Sequence, residues 1–113
     1  MSFSRGDIVK CRFPRHDPNR GPKKRYAVVL SHNEYNDQHD HGIMVAISSG
    51  IPDRPLPGVH QIRDWYAVGL DRESVVVPWL WTLEWDSVDG KAGALSPYEL
   101  GQVIERLREV VAI

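Results

Sequence analysis

The stretch KKRYAVVLS, Lys23–Ser31, decides how this chain folds. Its four apolar residues, 27–30, form a run that is typical of a strand covered on both faces. Three cations precede this run, so a basic loop leads directly into a core strand. Arg25 therefore has a fixed backbone and a free guanidinium, whose forked donors match a phosphate group. The pattern indicates an arginine that faces an anion at the start of a rigid strand.

The segments on either side of this strand predict more β-structure. Residues 6–13 alternate apolar and polar side chains, which predicts a half-buried strand ended by Pro14. Residues 14–24 contain three prolines and form a long loop, of the kind that often serves as a functional lid. We expect only a short helical turn in the polar segment 32–41. Further strands are predicted at 42–50, 59–65, 74–77 and 79–85, with Pro78 as an edge or a limit and a loop at 86–93.

The C-terminal segment predicts an amphipathic helix. Ser96 is a suitable N-cap, Pro97 fits the first helical position, and Glu99 would complete a capping box. Apolar residues then recur at helical spacing at Leu100, Val103, Ile104, Leu107, Val110 and Val111. The predicted fold is mainly β with a C-terminal α-helix, in the form of a small β-barrel, and one domain spans residues 1–113.

Composition restricts the class of protein. The apolar and charged fractions are those of a soluble globular domain. The single cysteine, Cys11, has no internal disulfide partner and alternates with Val9 and Phe13, so a buried thiol is expected. No apolar run is long enough to span a bilayer, and the first residues lack the apolar core of a secretory signal. We therefore expect a cytoplasmic protein.

Charge is unevenly distributed along the chain. Residues 1–30 carry eight Lys and Arg against two Asp, although the whole chain has a formal net charge of -1. Such a basic segment is typical of a protein that binds a polyanion. It is equally typical of a solvated basic loop without a partner, and charge alone does not separate the two interpretations.

Motifs for metal or covalent chemistry are weak. Asp37, His39, Asp40 and His41 lie close together, but the chain has no CxxC or HExxH pattern, and a solvated polar loop is the better interpretation. The nucleophile elbow G-x-S-x-G and the phosphate-binding P-loop pattern are also missing from the sequence. We expect no metal and no cofactor.

Phosphodiester chemistry fits the sequence better. Arg25 and the hydroxyl of Ser48 could line one cleft, and RNA supplies its own nucleophile, the 2′-hydroxyl. Sequence alone favours the simpler interpretation, in which Ser48 and Ser49 only end a strand. Trp79, Trp81 and Trp85 could stack bases, but large aromatic side chains more often fill cores or dimer interfaces.

Short motifs spread over nearly the whole chain resemble the MazF/PemK toxins of bacterial toxin–antitoxin systems. Each motif is short, but their order and spacing together are specific. They are Arg5–Val9 (RGDIV), Lys24–Leu30 (similar to RRPALVL), Val45–Ser49 (similar to A-x-I-T-S), Gly69–Val76 (similar to G-L-x-x-D-S-V-V), Thr82-Leu83 and Leu95-Ser96.

The resemblance implies an SH3-like barrel, a homodimer and sequence-selective cleavage of single-stranded RNA. In this family the reaction leaves 2′,3′-cyclic phosphate and 5′-hydroxyl ends without a metal, and a cognate antitoxin blocks the cleft. Arg25 matches the catalytic arginine and Ser48 the catalytic threonine or serine. His16 is our candidate for the proton shuttle, because an imidazole titrates near neutral pH. RNA-binding groups are expected at Arg15, Arg20, Lys23, Lys24 and Ser49.

Several residues depart from the family pattern. Tyr26 stands where a proline usually follows the catalytic arginine, and Trp81 replaces the arginine of R-T-I. The segment Val76–Pro78 lacks an Arg and an Asp that some members have there. These departures leave a second possibility, a binding module without nuclease activity that resembles the gyrase-poisoning toxins of related fold.

Overall fold

The computed structural model describes residues 2–13, 19 and 23–113. Its α-helices and strands are, in order, β1 (Asp7–Phe13), β2 (Lys23–Val29), α1 (Asn33–Gln38), β3 (His41–Ser49), β4 (His60–Gln61), β5 (Ser74–Glu84), β6 (Val88–Ala94) and α2 (Pro97–Leu107), with a short 3₁₀ helix at Trp85–Ser87 between β5 and β6. The strands pair antiparallel in one sheet with the order β4-β5-β3-β2-β1-β6. The predicted fold class, mainly β with a C-terminal helix, is confirmed.

The central strands bury both faces of the sheet. Along β2, Val28 and Val29 are both fully buried, but they belong to two different clusters on opposite faces. The helix-side core receives Leu100 and Val103 from α2 and includes Ile8, Val28, Val45, Ile47, Ile62, Leu70, Val76 and Leu95. The tryptophan-side core contains Val9, Cys11, Phe13, Ala27, Val29, Met44 and Trp85, with Trp81 and Leu83 packed against it. The apolar run in β2 is explained by this double burial.

The two edge strands of the sheet, β4 and β6, are not hydrogen-bonded to each other in the described residues, but the sheet curls so that the chain after β4 contacts β6. After β4 the chain turns back, and the backbone of residues 68–69 packs directly on residues 92–93 of β6. A Cβ atom on Gly93 would lie 1.8 Å from the Val68 carbonyl oxygen, and one on Gly69 would lie 2.1 Å from the Ala92 carbonyl oxygen. Glycine at both positions therefore permits a barrel-like return that no larger residue could make.

Pro78 lies inside β5, which runs without a break through the predicted segments 74–77 and 79–85, and of the two alternatives for Pro78 the edge position is the one observed. The register with β3 shifts between Val45↔Leu80 and Ile47↔Val76, so Ala46 faces three residues of β5. On its other side β5 pairs with β4 only at positions 75 and 76. Pro78 therefore occupies a bulge on an unpaired edge, where its missing N–H breaks no ladder.

Two strand predictions were wrong. The strand expected at 59–65 is limited to His60–Gln61, because Ile62 enters the helix-side core and the chain then turns. The expected loop at 86–93 is largely β6, which pairs with β1. Ion pairs between Lys91 and Asp7 (3.2 Å) and between Asp89 and Arg12 (3.0 Å) join these two strands.

The N-terminus of α2 is capped in only one of the two expected ways. Ser96 Oγ accepts a hydrogen bond from the backbone N–H of Glu99 at 3.1 Å, and Pro97 is the first helical residue. The Glu99 carboxylate does not return to the cap. Its Oε2 lies 2.9 Å from His60 Nε2 and accepts the Arg63 N–H at 3.2 Å. The capping box is therefore incomplete, because tertiary contacts with β4 take its second half.

The loop between β3 and β4 is tied to the end of α2. Arg106 donates from Nε to the Val59 carbonyl (2.9 Å) and from Nη2 to the Leu56 carbonyl (3.2 Å). Glu109 Oε1 accepts the N–H of Gly58 at 3.0 Å. The loop thus takes its shape from the helix. No helix in the described part of the chain has the length and apolar character needed to cross a membrane.

Candidate functional site

A cleft lies where β2 begins and β3 ends. Its volume is about 320 Å³. The first residues of β2, the last residues of β3 and the turn that leads into β5 form its walls: Lys24, Arg25, Tyr26, Ile47, Ser48, Ser49, Asp71, Arg72 and Ser74. The cleft brings together Lys24, Arg25, Ser48 and Ser49, four of the residues that the sequence predicted for one site.

The β2–β3 register brings Arg25 and Ser48 together. The last paired positions are Tyr26 and Ile47, and Arg25 and Ser48 each lie one residue beyond them. Side chains directly across an antiparallel pair point to the same face. Both residues are half-buried, so each has a fixed backbone and a polar group that solvent can still reach. This arrangement follows from the apolar runs of the two strands, whose burial sets the register.

Trp79 contacts Arg25, one of the residues that line the cleft. The guanidinium carbon of Arg25 lies over the Trp79 ring, 5.9 Å from its centre. This distance falls within the range of a cation–π contact. Arg25 makes no ion pair with a carboxylate in the described part of the chain. Its charge therefore remains available to an anionic ligand.

The opposite wall of the cleft is a turn that sequence reasoning missed. Asp71 and Arg72 are both well exposed, and their side chains approach to 3.6 Å. Ser74 pairs with Ser49 in the β3–β5 ladder, and its hydroxyl donates to the Arg72 carbonyl at 2.9 Å. The Gly69–Val76 motif marks this segment in the sequence, but without the register of β5 nothing connects it to Arg25.

The cleft carries more positive than negative charge. Lys24, Arg25 and Arg72 line it with a single carboxylate, that of Asp71, among the described residues. A cleft with this charge and with three serine hydroxyls suits a phosphodiester better than a carboxylate-rich or apolar ligand.

Three of the predicted site residues lie outside the described residues: His16, Arg15 and Arg20. Their expected roles stay predictions. Lys23 is the first residue of β2, and Lys24 follows it with an exposed side chain on the wall of the cleft.

The histidine-rich segment forms an aromatic cluster. His39 stacks on Tyr35 with ring centres 4.1 Å apart, and the Tyr35 hydroxyl lies 2.5 Å from His41 Nε2. No three His, Cys, Asp or Glu side chains among residues 2–13, 19 and 23–113 are arranged to hold a metal ion. These contacts explain the segment as packing between α1 and the start of β3.

Cys11 does not offer a nucleophile. It is 1% exposed in the tryptophan-side core, and burial, with a smaller contribution from the charge of Asp89, raises its pKa to about 12. The thiol is therefore protonated at neutral pH, and only the thiolate is reactive. The expectation of a buried free thiol is confirmed.

Comparison with known protein families identifies the chain. Residues 4–111 match the model of a family described as the PemK-like, MazF-like toxin of type II toxin-antitoxin system. The chain belongs to this family. No curated protein gave a match.

Solved structures of MazF proteins share the fold. A MazE-MazF crystal structure from Deinococcus radiodurans has a TM-score of 0.81 at 18% identity, covering 100% of this chain and 98% of that one. An endoribonuclease in complex with its cognate antitoxin from a Mycobacterial species has a TM-score of 0.76 at 17% identity, with 99% and 97% covered. The Mycobacterium tuberculosis toxin MazF-mt6 has a TM-score of 0.73 at 16% identity, with 90% and 92% covered. At these identities the likeness shows a common fold.

The opening motif of this PemK/MazF-like chain is structural. Gly6 has φ +92°, its N–H donates to the Val29 carbonyl at 2.8 Å, and its carbonyl accepts the Leu95 N–H at 3.0 Å. Asp7 Oδ2 accepts the N–H of Ser4 at 2.9 Å. The motif thus joins β1 to the end of β2 and to the chain before α2, away from the cleft.

The departures from the family pattern are accommodated within the strands. Tyr26 keeps its place in β2, paired with Lys10 and Ile47, and the Lys10 Nζ lies 5.7 Å from the centre of its ring. Trp81 packs on Phe13 with ring centres 4.1 Å apart. Tyr26 changes the surface of the cleft, whereas Trp81 adds to the tryptophan-side core.

Proposed function

We propose that this protein is a toxin endoribonuclease that cleaves single-stranded RNA and is neutralised by a cognate antitoxin. The single observation that carries the proposal is the placement of Arg25 and Ser48 on one face of a positively charged cleft. Membership of the PemK-like, MazF-like toxin family supports it. Because its substrate would be cellular RNA, we propose the cytoplasm as its place of action.

The proposed reaction uses the nucleophile that RNA already carries. The 2′-oxygen attacks the neighbouring phosphorus and loses its proton, the bond from phosphorus to the 5′-oxygen breaks, and the 5′-oxygen takes up a proton. The products are a 2′,3′-cyclic phosphate and a 5′-hydroxyl end. The protein needs only to align the phosphate, stabilise its added negative charge and move protons. These tasks require no metal or cofactor.

Arg25 and Ser48 would divide the work on the phosphate. A guanidinium stays protonated at neutral pH, so Arg25 is suited to hold the phosphate and stabilise the developing charge, and it is a poor base. The Ser48 hydroxyl would donate a hydrogen bond to a non-bridging oxygen. The basic side chains Arg15, Arg20, Lys23 and Lys24 would attract the RNA backbone, with the Ser49 hydroxyl as a further contact.

Two residues are candidates for proton transfer. One is His16, because an unperturbed imidazole has its pKa near neutral pH. Asp71 is the carboxylate on the wall of the cleft and could accept the 2′-hydroxyl proton. Cleavage rates of His16→Ala and Asp71→Asn decide between them. The residue whose replacement leaves the pH–rate profile unchanged is not the proton acceptor.

Partners are proposed from the similar structures. One of those structures is an endoribonuclease in complex with its cognate antitoxin, and another is a MazE-MazF crystal structure. By analogy, an antitoxin segment would cover the cleft of this protein and exclude RNA. A homodimer is proposed from the family resemblance.

The deciding experiment incubates the purified protein with a long single-stranded RNA in the presence of EDTA and maps the cut ends. We expect cuts at a defined sequence, with cyclic phosphate on one side and a 5′-hydroxyl on the other. Random cuts, or cuts that EDTA abolishes, would contradict the proposed mechanism.

A second candidate function is a binding module without nuclease activity. Tyr26 on the wall of the cleft and the absence of the Arg and Asp from residues 76–78 favour it. Intact RNA in the same assay, together with growth inhibition in cells, would support this alternative over the enzyme.

A further inference from the structure

Trp79 differs from the other two tryptophans of its segment because its ring is not packed into a core. It is 50% exposed, whereas Trp85 is 7% exposed. Trp81 is half-buried and lies on Phe13. About half of the Trp79 side chain is therefore open to solvent and can meet a ligand.

The bulge at Pro78 sets the orientation of Trp79. Residues 77–79 together face Ala46, so Trp79 is the last residue of the bulge. It lies two residues before Trp81, whose ring packs against the tryptophan-side core, and two residues along an extended strand share a face. Arg25 has the parity of Ala27, a member of the same core. Trp79 and Arg25 therefore project from one face of the sheet, which is consistent with their contact.

The ring of Trp79 is held on two sides. The Arg25 guanidinium lies over it at 5.9 Å, and the Trp81 ring meets it edge-on with centres 6.5 Å apart. Trp81 is in turn supported by Phe13. An aromatic surface that is held in this way loses little conformational entropy when a flat ligand stacks on it.

We propose that Trp79 stacks a nucleobase of the RNA next to the phosphate that Arg25 holds. The proposal rests on the proposed function, since it places the base relative to that phosphate. The occupant is argued from charge and chemistry: Lys24, Arg25 and Arg72 attract a polyanion, and each unit of a single-stranded RNA offers a flat ring beside its phosphate.

Stacking on Trp79 recognises the face of a base and not its hydrogen-bonding edge. Every base has such a face, so Trp79 contributes affinity with little selection among the four bases. The contribution belongs to RNA binding and not to the bond-breaking step. We expect the loss of the ring to weaken binding by about 5- to 150-fold while the rate at saturating RNA changes little.

The test compares two single-stranded 12-mers that the protein cannot cut. One is fully 2′-O-methylated and contains all four bases, and the other has the same phosphates with abasic sugars. The wild type should bind the first more tightly than the second. Trp79→Ala should lose most of this preference yet retain its binding to the abasic strand, and Trp79→Phe should keep most of the preference.

Two controls isolate the role of the ring. Tyr98→Ala removes an exposed aromatic residue of α2, 72% exposed, and should leave binding of both strands unchanged. Tryptophan fluorescence should be quenched by the base-containing strand in the wild type and far less in Trp79→Phe. Thermal unfolding of each variant verifies that the fold is kept.

Three results would overturn the proposal. One is a Trp79→Ala protein with the full wild-type preference for bases. Another is a Trp79→Ala protein whose oligomeric mass, measured by sedimentation, differs from that of the wild type while its RNA binding does not. Trp79 would then contact a second copy of the chain. The third is a wild type that does not distinguish the two strands. None of these depends on cleavage, so failure of the nuclease assay and failure of stacking are separate outcomes.

Discussion

Glu99 Oε2 lies 2.9 Å from His60 Nε2, and both side chains are about nine-tenths buried between α2 and β4. The same carboxylate oxygen accepts the N–H of Arg63. One carboxylate of the first helical turn therefore satisfies two polar groups of the neighbouring strand region. Removal of such a group leaves its partners buried without a hydrogen bond, which is costly.

We expect Glu99→Ala to lower the free energy of unfolding by about 1.5–3 kcal/mol, the range for hydrogen bonds to charged groups. Urea unfolding followed by circular dichroism measures this change. Glu105→Ala is the control, because the Glu105–Arg108 pair on the same helix is exposed and contributes about 0.5 kcal/mol or less. Equal losses for the two variants would argue against a structural role for the buried pair.

Arg25→Ala should reduce RNA cleavage by about 100-fold or more, the usual loss when one donor to a developing negative charge is removed. Ser48→Ala should cost about tenfold, the equivalent of one ordinary hydrogen bond. Gel-based cleavage rates measure both. Arg108→Ala, which removes an exposed arginine directly after α2, should cleave as the wild type does. Wild-type cleavage by Arg25→Ala would refute the site.

Arg72→Ala should make RNA binding less dependent on salt. If Arg72 contacts one phosphate, the slope of log affinity against log salt concentration should fall in magnitude by about 0.7 for single-stranded RNA. Anisotropy titrations at several salt concentrations, with the 2′-O-methylated strand, give this slope. An unchanged slope would mean that Arg72 contacts Asp71 alone.

Gly93→Ala and Gly101→Ala should change stability in opposite directions. At Gly93 a methyl group would collide with the Val68 carbonyl, so we expect a loss of more than about 3 kcal/mol or a protein that does not fold. At Gly101 nothing lies within 4 Å of the added Cβ, and alanine should stabilise α2 by about 1 kcal/mol. The melting temperatures of the two variants, compared with that of the wild type, test these opposite changes in stability.

Cys11 should make stability fall at high pH. Its folded pKa, about 12, lies above its ordinary value of 9.0, so burial of the neutral thiol contributes fully below pH 9. The contribution is lost between pH 9 and about 12, because the unfolded thiol ionises there first. The stability of Cys11→Ala should therefore decline less than that of the wild type over this range, as measured by urea unfolding. Equal declines in the stability of the two proteins would contradict a raised pKa for Cys11.

The sequence predicted those strands whose local pattern agrees with their burial. The alternation of apolar and polar residues predicted β1, and the unbroken apolar run predicted β2. The cap at Ser96 predicted the start of α2. It missed β6, which contains Gly90 and charged residues and becomes a strand only because β1 pairs with it. The predicted capping box failed because Glu99 contacts His60, a partner 39 residues away.

The candidate site was also predictable only in part. Arg25 and Ser48 follow from the β2 and β3 patterns and from the family resemblance. Asp71 and Arg72 could not be found, since they are exposed turn residues without periodicity, and only the ladder between Ser49 and Ser74 brings them to the cleft. The exposure of Trp79 depends on the bulge at Pro78, which no local pattern encodes.

The ties from Arg106 and Glu109 to residues 56–59 have a consequence for the motions of the protein. A proline-rich surface loop would ordinarily open on its own within nanoseconds to microseconds. Here the amide hydrogen of Gly58 is bonded to the Glu109 carboxylate, so it exchanges with solvent only when this hydrogen bond opens. We therefore expect the loop that follows Ser49 to open only after its hydrogen bonds to Arg106 and Glu109 break, and so more rarely than a loop without such contacts.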